Sequence, residues 1–328
     1  MSRGKNNPTR GFVTMATGDE KYFILASNLL RSYKYFSRKH YPWTIITNEE
    51  NDYTAGFDSV IIIPSPLFSD ADKLKVPELT PYDETLFIDA DCLAYSDLNE
   101  LWKLFGPKCP DFSVLGNTRP LDSKAGWMTP EGAGVYRALI DRKIDYQGGI
   151  MFFRKKGLSE FIETCRYIEN HYDEFSFDYY PTRRLVDETV FSLAAAVHGF
   201  FPSMDWINVF CYLPDSKIIE ADILSGKLKY IWLPRSKRLG KGVFLLHFST
   251  SATKEILYQK EAAKLFDNAG NKPANAVSSR LWIERRLWLF RRFLRPLKMI
   301  VPNNVKRFIM NLFIRFYGKC GSLSDLVL

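Results

Sequence analysis

The stretch Leu86-Phe87-Ile88-Asp89-Ala90-Asp91-Cys92 limits what this chain can be more than any other. Three apolar residues run into two carboxylates, Asp89 and Asp91, separated only by Ala90. A short apolar run with such an end reads as a buried strand. Its acids then stand outside the carboxyl end of a sheet, where open α/β sheets bind ligands. Two like charges brought together out of water are unfavourable unless a cation joins them. A hard divalent ion such as Mn²⁺ or Mg²⁺ suits oxygen ligands of this kind and readily shares them with phosphate. The competing reading is structural: acids that open a turn or cap the next helix.

The rest of the chain supplies the sheet. Residues 11–16 predict a first strand, 17–19 a turn, and 20–36 a helix with Phe23, Ile24, Leu29, Leu30 and Tyr33 near helical spacing. Residues 43–47 and 60–63 predict two more strands, the second stopped by Pro64. Strand, helix, strand, strand at these spacings implies an α/β fold with a mixed, mostly parallel sheet flanked by helices. Ser96 or Asp97 is placed to cap a short helix. Further strands are expected over 112–115, 146–153, 229–233 and 243–247, and helices over 158–172, 189–197 and 255–266. The segment 116–134 reads as a loop able to cover a site. A nucleotide site in such a sheet would lie at the end of the first strand, near Thr14 to Gly18. Neither a Gly-x-Gly-x-x-Gly nor a Gly-x-x-x-x-Gly-Lys-Ser/Thr pattern occurs there, so a dinucleotide or P-loop site loses its main support.

Three later features bear on the carboxylates. Gly148 and Gly149 enter an apolar strand at its start, where glycine permits either a bulge or the close approach of a ligand or another backbone. Asp187 and Glu188 precede a helical run, a position that favours acids on its own account. His247, one of only four histidines, ends a buried strand, where a structural histidine competes with a ligand.

Composition bounds the class. With 328 residues and 46% hydrophobic content the chain can bury a sizeable core. No run of eighteen apolar residues exists, so no transmembrane helix is expected, and the polar start lacks the apolar segment of a signal peptide. The five cysteines, Cys92, Cys109, Cys165, Cys211 and Cys320, are scattered without metal-type pairing, which suits free thiols in a reducing cytoplasm. The net charge of +8 is concentrated at the end, where residues 278–320 hold eleven Lys and Arg against the single acid Glu284. Two domains are therefore expected, a body over 1–277 and a basic, amphipathic helical tail over 278–328. Over residues 280–295 Trp, Leu, Ile and Phe alternate with Arg, the composition of a helix lying on an anionic membrane surface. The density of Leu, Ile and Trp suits lipid better than nucleic acid. The expected location is cytoplasmic and peripherally membrane-associated.

Taken in order, Asp89-Ala90-Asp91, Gln147-Gly148-Gly149, Asp187-Glu188 and His247 resemble the pattern of GT-A glycosyltransferases of the glycogenin and bacterial lipopolysaccharide galactosyltransferase type. The resemblance spans residues 11–265. It is most specific over Thr85 to Asp91 and the short helix ending in Leu101-Trp102. It implies a Rossmann-like GT-A fold and retaining transfer of a hexose from a nucleotide-diphosphate sugar, with UDP the first choice, to a glycan or lipid-linked acceptor. By the same resemblance Asp89, Asp91 and His247 would bind Mn²⁺ (or Mg²⁺). Thr14, Ala16, Tyr22, Lys73, Ala90, Gly148, Gly149 and Lys254 would line the donor, and Asp187 and Gln147 would act at the reacting sugar. Lys73, with Lys75 next, matches a basic residue that precedes the metal strand in that family. Gln147 stands where the family has Asn and Glu188 where it has Gln, so the identity of the sugar does not carry over. After His247 the family's Gly-x-x-Lys-Pro-Trp is missing, with Lys254 its only counterpart. In an inverting relative Asp187 or Glu188 would be the candidate general base.

Other classes fit less well. Haloacid-dehalogenase-type phosphatases also place Asp-x-Asp after an apolar strand, but near the N-terminus and with Thr or Val where this chain has Leu93. A sugar nucleotidyltransferase would want a Gly-rich basic loop after the first strand. A non-catalytic membrane-binding protein is compatible with the tail but leaves the ordered acids unexplained.

Overall fold

The computed structural model describes residues 9–106, 109–123, 138, 140–173, 185–202, 206–233, 237–249, 253 and 256–268. The chain divides into two units, Met1–Ser249 and Thr250–Leu328. The first is built on a six-stranded sheet. In chain order its strands are β1 (Arg10–Ala16), β2 (Trp43–Thr47), β3 (Ser59–Ile62), β4 (Glu84–Ile88), β6 (Phe112–Pro120) and β7 (Arg142–Arg154), with β5 (Cys92–Ala94) leaving to a second sheet. The spatial order is β3-β2-β1-β4-β7-β6. The pairs β1–β2, β2–β3 and β1–β4 are parallel, while β7 runs antiparallel to both β4 and β6. The order reverses at β1, with β2 on one side and β4 on the other. That places a crevice at the carboxyl ends of β1 and β4, the switch point where sheets of this kind bind ligands.

Alternation along β1 explains why both faces of the sheet are covered. Phe12 points to one face, stacking on Trp43 at 4.8 Å and packing against Tyr33 at 5.2 Å. Tyr33 belongs to the helix Glu20–Phe36, capped by Asp19, whose side chain accepts the Lys21 N–H. Val13 and Met15 point to the other face, into a core with Phe87, Phe153 and Phe191. There Phe112 stacks on Phe161 at 4.7 Å, bringing in the helices Ser159–Asn170 and Asp187–Val197. Each large aromatic buried here contributes about 2–3 kcal/mol of apolar transfer.

The described residues of the unit also form two smaller sheets. One has the order β5-β12-β8, with β8 at Phe210–Tyr212 and β12 at Leu245–His247. The other has the order β11-β10-β9, with β9 at Ser216–Asp222, β10 at Lys227–Trp232 and β11 at Leu239–Lys241.

Several local expectations change. Residues 116–120, expected in a loop, extend β6, which is the edge strand of the sheet. An edge tolerates the polar Asn117, Thr118 and Arg119, and Pro120 at its end, because one side makes no ladder. Gly148 and Gly149 lie inside β7 rather than at its start. Between the pairs Val114↔Met151 and Gly116↔Tyr146 the β6–β7 register shifts, so Gln147 to Ile150 leave the β6 ladder. Ile150 remains paired with Ile88 of β4. The glycines therefore sit in a bulge and also approach another backbone, and the two readings of them describe one feature. Strands β5, β8, β9 and β11 are not expected from the sequence, because they are short or half-exposed. Asp97, not Ser96, is the cap, accepting the Asn99 N–H at the start of the turn Leu98–Glu100.

In the second unit the described part is the helix Ile256–Asn268, where Lys264 pairs with Glu261 at 3.0 Å. The expected tail over 278–328 and Lys254 lie outside the described residues. Among the described residues no helix is long and apolar enough to cross a membrane.

Candidate active site

The carboxylates stand where β4 ends. After Ile88 the chain turns, closed by the Cys92 N–H donating to the Asp89 carbonyl at 3.1 Å. The Asp89 N–H donates to the Gly149 carbonyl at 3.0 Å, so the β7 bulge holds the base of the turn. Beyond the turn, β5 pairs antiparallel with β12, with His247 directly opposite Cys92. The Phe248 N–H donates to the Asp91 carbonyl at 3.1 Å and extends that ladder by one bond. These contacts bring His247 Nε2 to 3.0 Å from Asp91 Oδ1 and 3.8 Å from Asp89 Oδ2. The imidazole is fixed from behind. Phe210 and Tyr212 of β8 pack their rings at 5.5 and 5.3 Å from it. On the remaining side a Cβ added at Gly149 would lie 2.6 Å from both His247 Nδ1 and Phe210 Cζ. Only glycine leaves the imidazole this place.

A second set of groups meets the first. Lys73, in the helical turn Asp70–Lys75, lies with Nζ 2.8 Å from Asp89 Oδ2 and 3.8 Å from Asp187 Oδ2. Lys75 instead reaches the Ser65 carbonyl at 3.3 Å, so of the two lysines Lys73 faces the acids. Asp187 and Glu188 open the helix Asp187–Val197, and Ser192 of that helix donates to the Ile144 carbonyl, fixing it against β7. Glu188 Oε1 accepts the Gly148 N–H at 2.6 Å.

Four acids thus face one lysine and one histidine, an excess of negative charge in a place largely closed to water. Burial opposes the charge on Lys73, but Asp187 and Asp89 outweigh it and hold its pKa well above the usual lysine value. Burial likewise opposes a charged His247, yet Asp91 raises its pKa. Burial would raise Asp91 too, but His247 pulls it below the usual carboxylate range. For Asp89 burial prevails over Lys73 and the pKa rises. Burial pushes Asp187 up to about 6. Burial, joined by the neighbouring Asp187, pushes Glu188 up to about 8. Perturbation of this kind concentrates where charge is gathered for binding or chemistry.

The arrangement can hold a cation. Two carboxylates and an imidazole nitrogen converge from two elements, and the excess negative charge is opposite in sign to a divalent cation and complements it. Of the residues expected to line the donor, Thr14 is buried in β1 with a hydroxyl that finds no partner among the described residues. Ala16 ends β1 and Tyr22 lies in the first turn of the following helix. Ala90 is buried between the two acids, and Gln147 is half-buried in the bulge beside Gly148. Cys92 is a residue that sequence reasoning passed over. Its thiol, an Asp91 oxygen and a His247 nitrogen lie within 4.8 Å of one another, a grouping that cysteine spacing alone does not reveal. Its one signal was adjacency to Asp91.

No protein-family model matches the chain, and no curated protein matches it in sequence. Solved structures do. The galactosyltransferase LgtC, in complex with donor and acceptor sugar analogues, matches with a TM-score of 0.50 at 12% identity, over 80% of this chain and 96% of LgtC. The chain has the fold of a GT-A glycosyltransferase. The glycosyltransferase GlyE of Streptococcus pneumoniae TIGR4 matches at TM-score 0.41 and 15% identity, over 61% of this chain. Mouse xyloside xylosyltransferase 1 matches at 0.47 and 11%, over 74% of this chain and 98% of its own. The match spans 46% of GlyE, about half its length. In this chain the acids gather where the turn after β4 meets the bulge in β7.

Proposed function

We propose that this chain is a glycosyltransferase that moves a hexose from a nucleotide-diphosphate sugar, a UDP-sugar first, to a glycan or lipid-linked acceptor. The observation that carries the reading is the convergence of Asp89, Asp91 and His247 beside Lys73, at the switch point of the sheet. Those three residues would hold a divalent ion, Mn²⁺ or Mg²⁺. Such an ion, when bound, supplies Lewis-acid neutralisation of a diphosphate leaving group.

The chain's own groups do the rest. Lys73 brings a buried positive charge to the phosphate side, where it offsets charge as the diphosphate departs. Asp187, carboxylate or acid according to pH, stands beside the lysine and orients or stabilises the sugar as its anomeric carbon gains positive character. Gly148 and Gly149 line the sugar side with backbone, Gly149 also leaving room for the imidazole, and Gln147 supplies an amide beside them. Thr14, Ala16 and Tyr22 line the nucleotide side, with Lys254 a further cation toward the diphosphate. Retention of configuration is part of the proposal. So is the division into a catalytic body over 1–277 and a tail over 278–328 that binds an anionic membrane surface.

Hydrolysis of a panel of nucleotide sugars with and without Mn²⁺, by wild type and Asp91→Ala, tests the reading. Equal activity of the two chains, or no UDP binding by calorimetry, overturns it. Flotation with anionic liposomes tests the tail: a chain lacking residues 279–320 that floats as well as the full chain removes the membrane role.

A further inference from the structure

The β5–β12 pairing has a chemical result beyond the carboxylates. His247 and Cys92 are directly opposed in an antiparallel pair, and directly opposed residues carry their side chains on the same face. The thiol of Cys92 therefore stands on the imidazole's side of the strand pair. The thiol, one Asp91 oxygen and one His247 nitrogen lie within 4.8 Å of one another, all three residues buried. Cys92 Sγ has the Gly149 carbonyl 3.9 Å away, a weak contact that a metal bond would readily replace. His247 Nδ1 is buried and has no hydrogen-bond partner among the described residues, so no hydrogen bond locks the ring's tautomer on that side.

We infer that Cys92, Asp91 and His247 form a sulfur, oxygen and nitrogen donor set that takes a thiophilic divalent ion, Zn²⁺ first. This set differs from the oxygen-rich set Asp89, Asp91 and His247 and shares two members with it, so the two modes exclude each other. The inference rests on reading Asp91 and His247 as ion ligands, and is independent of which sugar, if any, is transferred. Softness decides the partition. Thiolate favours Zn²⁺ and disfavours Mn²⁺ and Mg²⁺, which prefer carboxylate and phosphate oxygens. Cys92 has no exposed surface, while Asp91 and His247 each keep 7% of theirs. Binding replaces the S–H bond by an S–metal bond and releases one proton to solvent, without redox change. The consequence is that Zn²⁺ displaces the harder ion and withholds Asp91 and His247 from it.

The test uses Co²⁺ as a spectroscopic stand-in for Zn²⁺ on the full chain. A thiolate-to-cobalt charge-transfer band in the near ultraviolet is expected for the wild type. Zn²⁺ should abolish the band, and Cys92→Ser should lack it. Calorimetry on Cys92→Ser should give Zn²⁺ affinity lowered about tenfold or more, with Mn²⁺ affinity changed by less than about threefold. Co²⁺ binding to the wild type without the band overturns the inference and leaves the Asp89, Asp91 and His247 set standing. A band of undiminished intensity in Cys92→Ser also overturns it, by placing the thiolate elsewhere. Absence of Co²⁺, Zn²⁺ and Mn²⁺ binding overturns both donor sets together. The wild-type spectrum alone decides whether a thiolate binds, should the substituted chain fail to fold.

Discussion

His247 Nε2 and Asp91 Oδ1 lie 3.0 Å apart although the strand and the turn that carry them are distant in the chain. The contact depends on a three-residue pairing, β5 with β12, and on the turn that carries Asp91 into β5. Removing either partner leaves the other buried with half its charge balance gone. Asp91→Asn or His247→Ala should therefore abolish divalent-ion binding by calorimetry. Ion-dependent hydrolysis of a UDP-sugar should drop roughly 10²–10³-fold, the loss that follows removal of one group stabilising developing charge. Ion binding unchanged in Asp91→Asn would refute the assignment.

Lys73 bridges Asp89 and Asp187 at 2.8 and 3.8 Å, all three side chains mostly buried. Its loss leaves two carboxylates facing each other with little solvent. Lys73→Met should destabilise the chain by about 3 kcal/mol in urea titrations at pH 7, near the cost of breaking a buried pair. Mn²⁺, as a replacement positive charge, should restore part of that loss. A variant as stable as the wild type, indifferent to Mn²⁺, would contradict this account of how the acids are held.

How far could these contacts be read beforehand? The turn after β4 was legible because an apolar run stops abruptly at two acids. The helix Glu20–Phe36 was legible from the spacing of Phe23, Ile24, Leu29, Leu30 and Tyr33, while its cap, Asp19, read only as part of a turn. His247 was legible only as a strand end. That it meets Asp91 depends on strands of three residues, too short for alternation to declare itself. The same limit hid β8, and with it the aromatic wall of Phe210 and Tyr212 behind the imidazole. Cys92 looked like one more scattered thiol, because its partner in space is a histidine and not another cysteine. The glycine pair was visible, but its position inside a bulge follows from the β6 register, a long-range fact.

Asp187 and Glu188 make stability depend on pH in a defined direction. Both folded pKa values, about 6 and about 8, lie above the unfolded carboxylate values near 4. In such a case the stability the groups contribute is fully present below about pH 4. It is lost as pH rises through 6 for Asp187 and through 8 for Glu188. Glu188→Gln cannot ionise. It should match the wild type to within about 1 kcal/mol near pH 4 and exceed it by about 1–3 kcal/mol above pH 8, allowing for the half-buried site. Denaturation midpoints for both chains across pH 4 to 9 measure this; a difference that shrinks with rising pH would reverse the sign and refute it.

At the opposite end of β4, Glu84 accepts from Arg10 at 2.6 Å and Arg154 at 3.1 Å, and Arg154 also holds Asp111 at 2.7 Å. Glu84 is buried, while both arginines keep part of their surface in water. Glu84→Gln should cost on the order of 2 kcal/mol, because the arginines regain some hydration. It should leave Mn²⁺ affinity unchanged, since the strand separates it from the proposed ion ligands. A change in Mn²⁺ affinity beyond about threefold would mean that the two ends of β4 are coupled.

Gly149 offers the sharpest geometric test of the site. A Cβ there would sit 2.6 Å from His247 Nδ1 and from Phe210 Cζ, closer than real contacts allow. Both rings are held by their strands, so neither yields as a flexible side chain would. Gly149→Ala should therefore destabilise the fold by about 1–3 kcal/mol, as overpacking does. It should also push the imidazole off Asp91, weakening Mn²⁺ binding. Gly148→Ala separates the two effects. Its added Cβ would meet Glu188 at 3.1–3.2 Å and Asp187 Oδ2 at 3.5 Å, and His247 is not among its three nearest contacts. That variant should keep Mn²⁺ affinity while losing the bond from the Gly148 N–H to Glu188. Its pH–stability profile should then move away from that of the wild type. If Gly149→Ala binds Mn²⁺ like the wild type, close approach at Gly149 is not what positions His247.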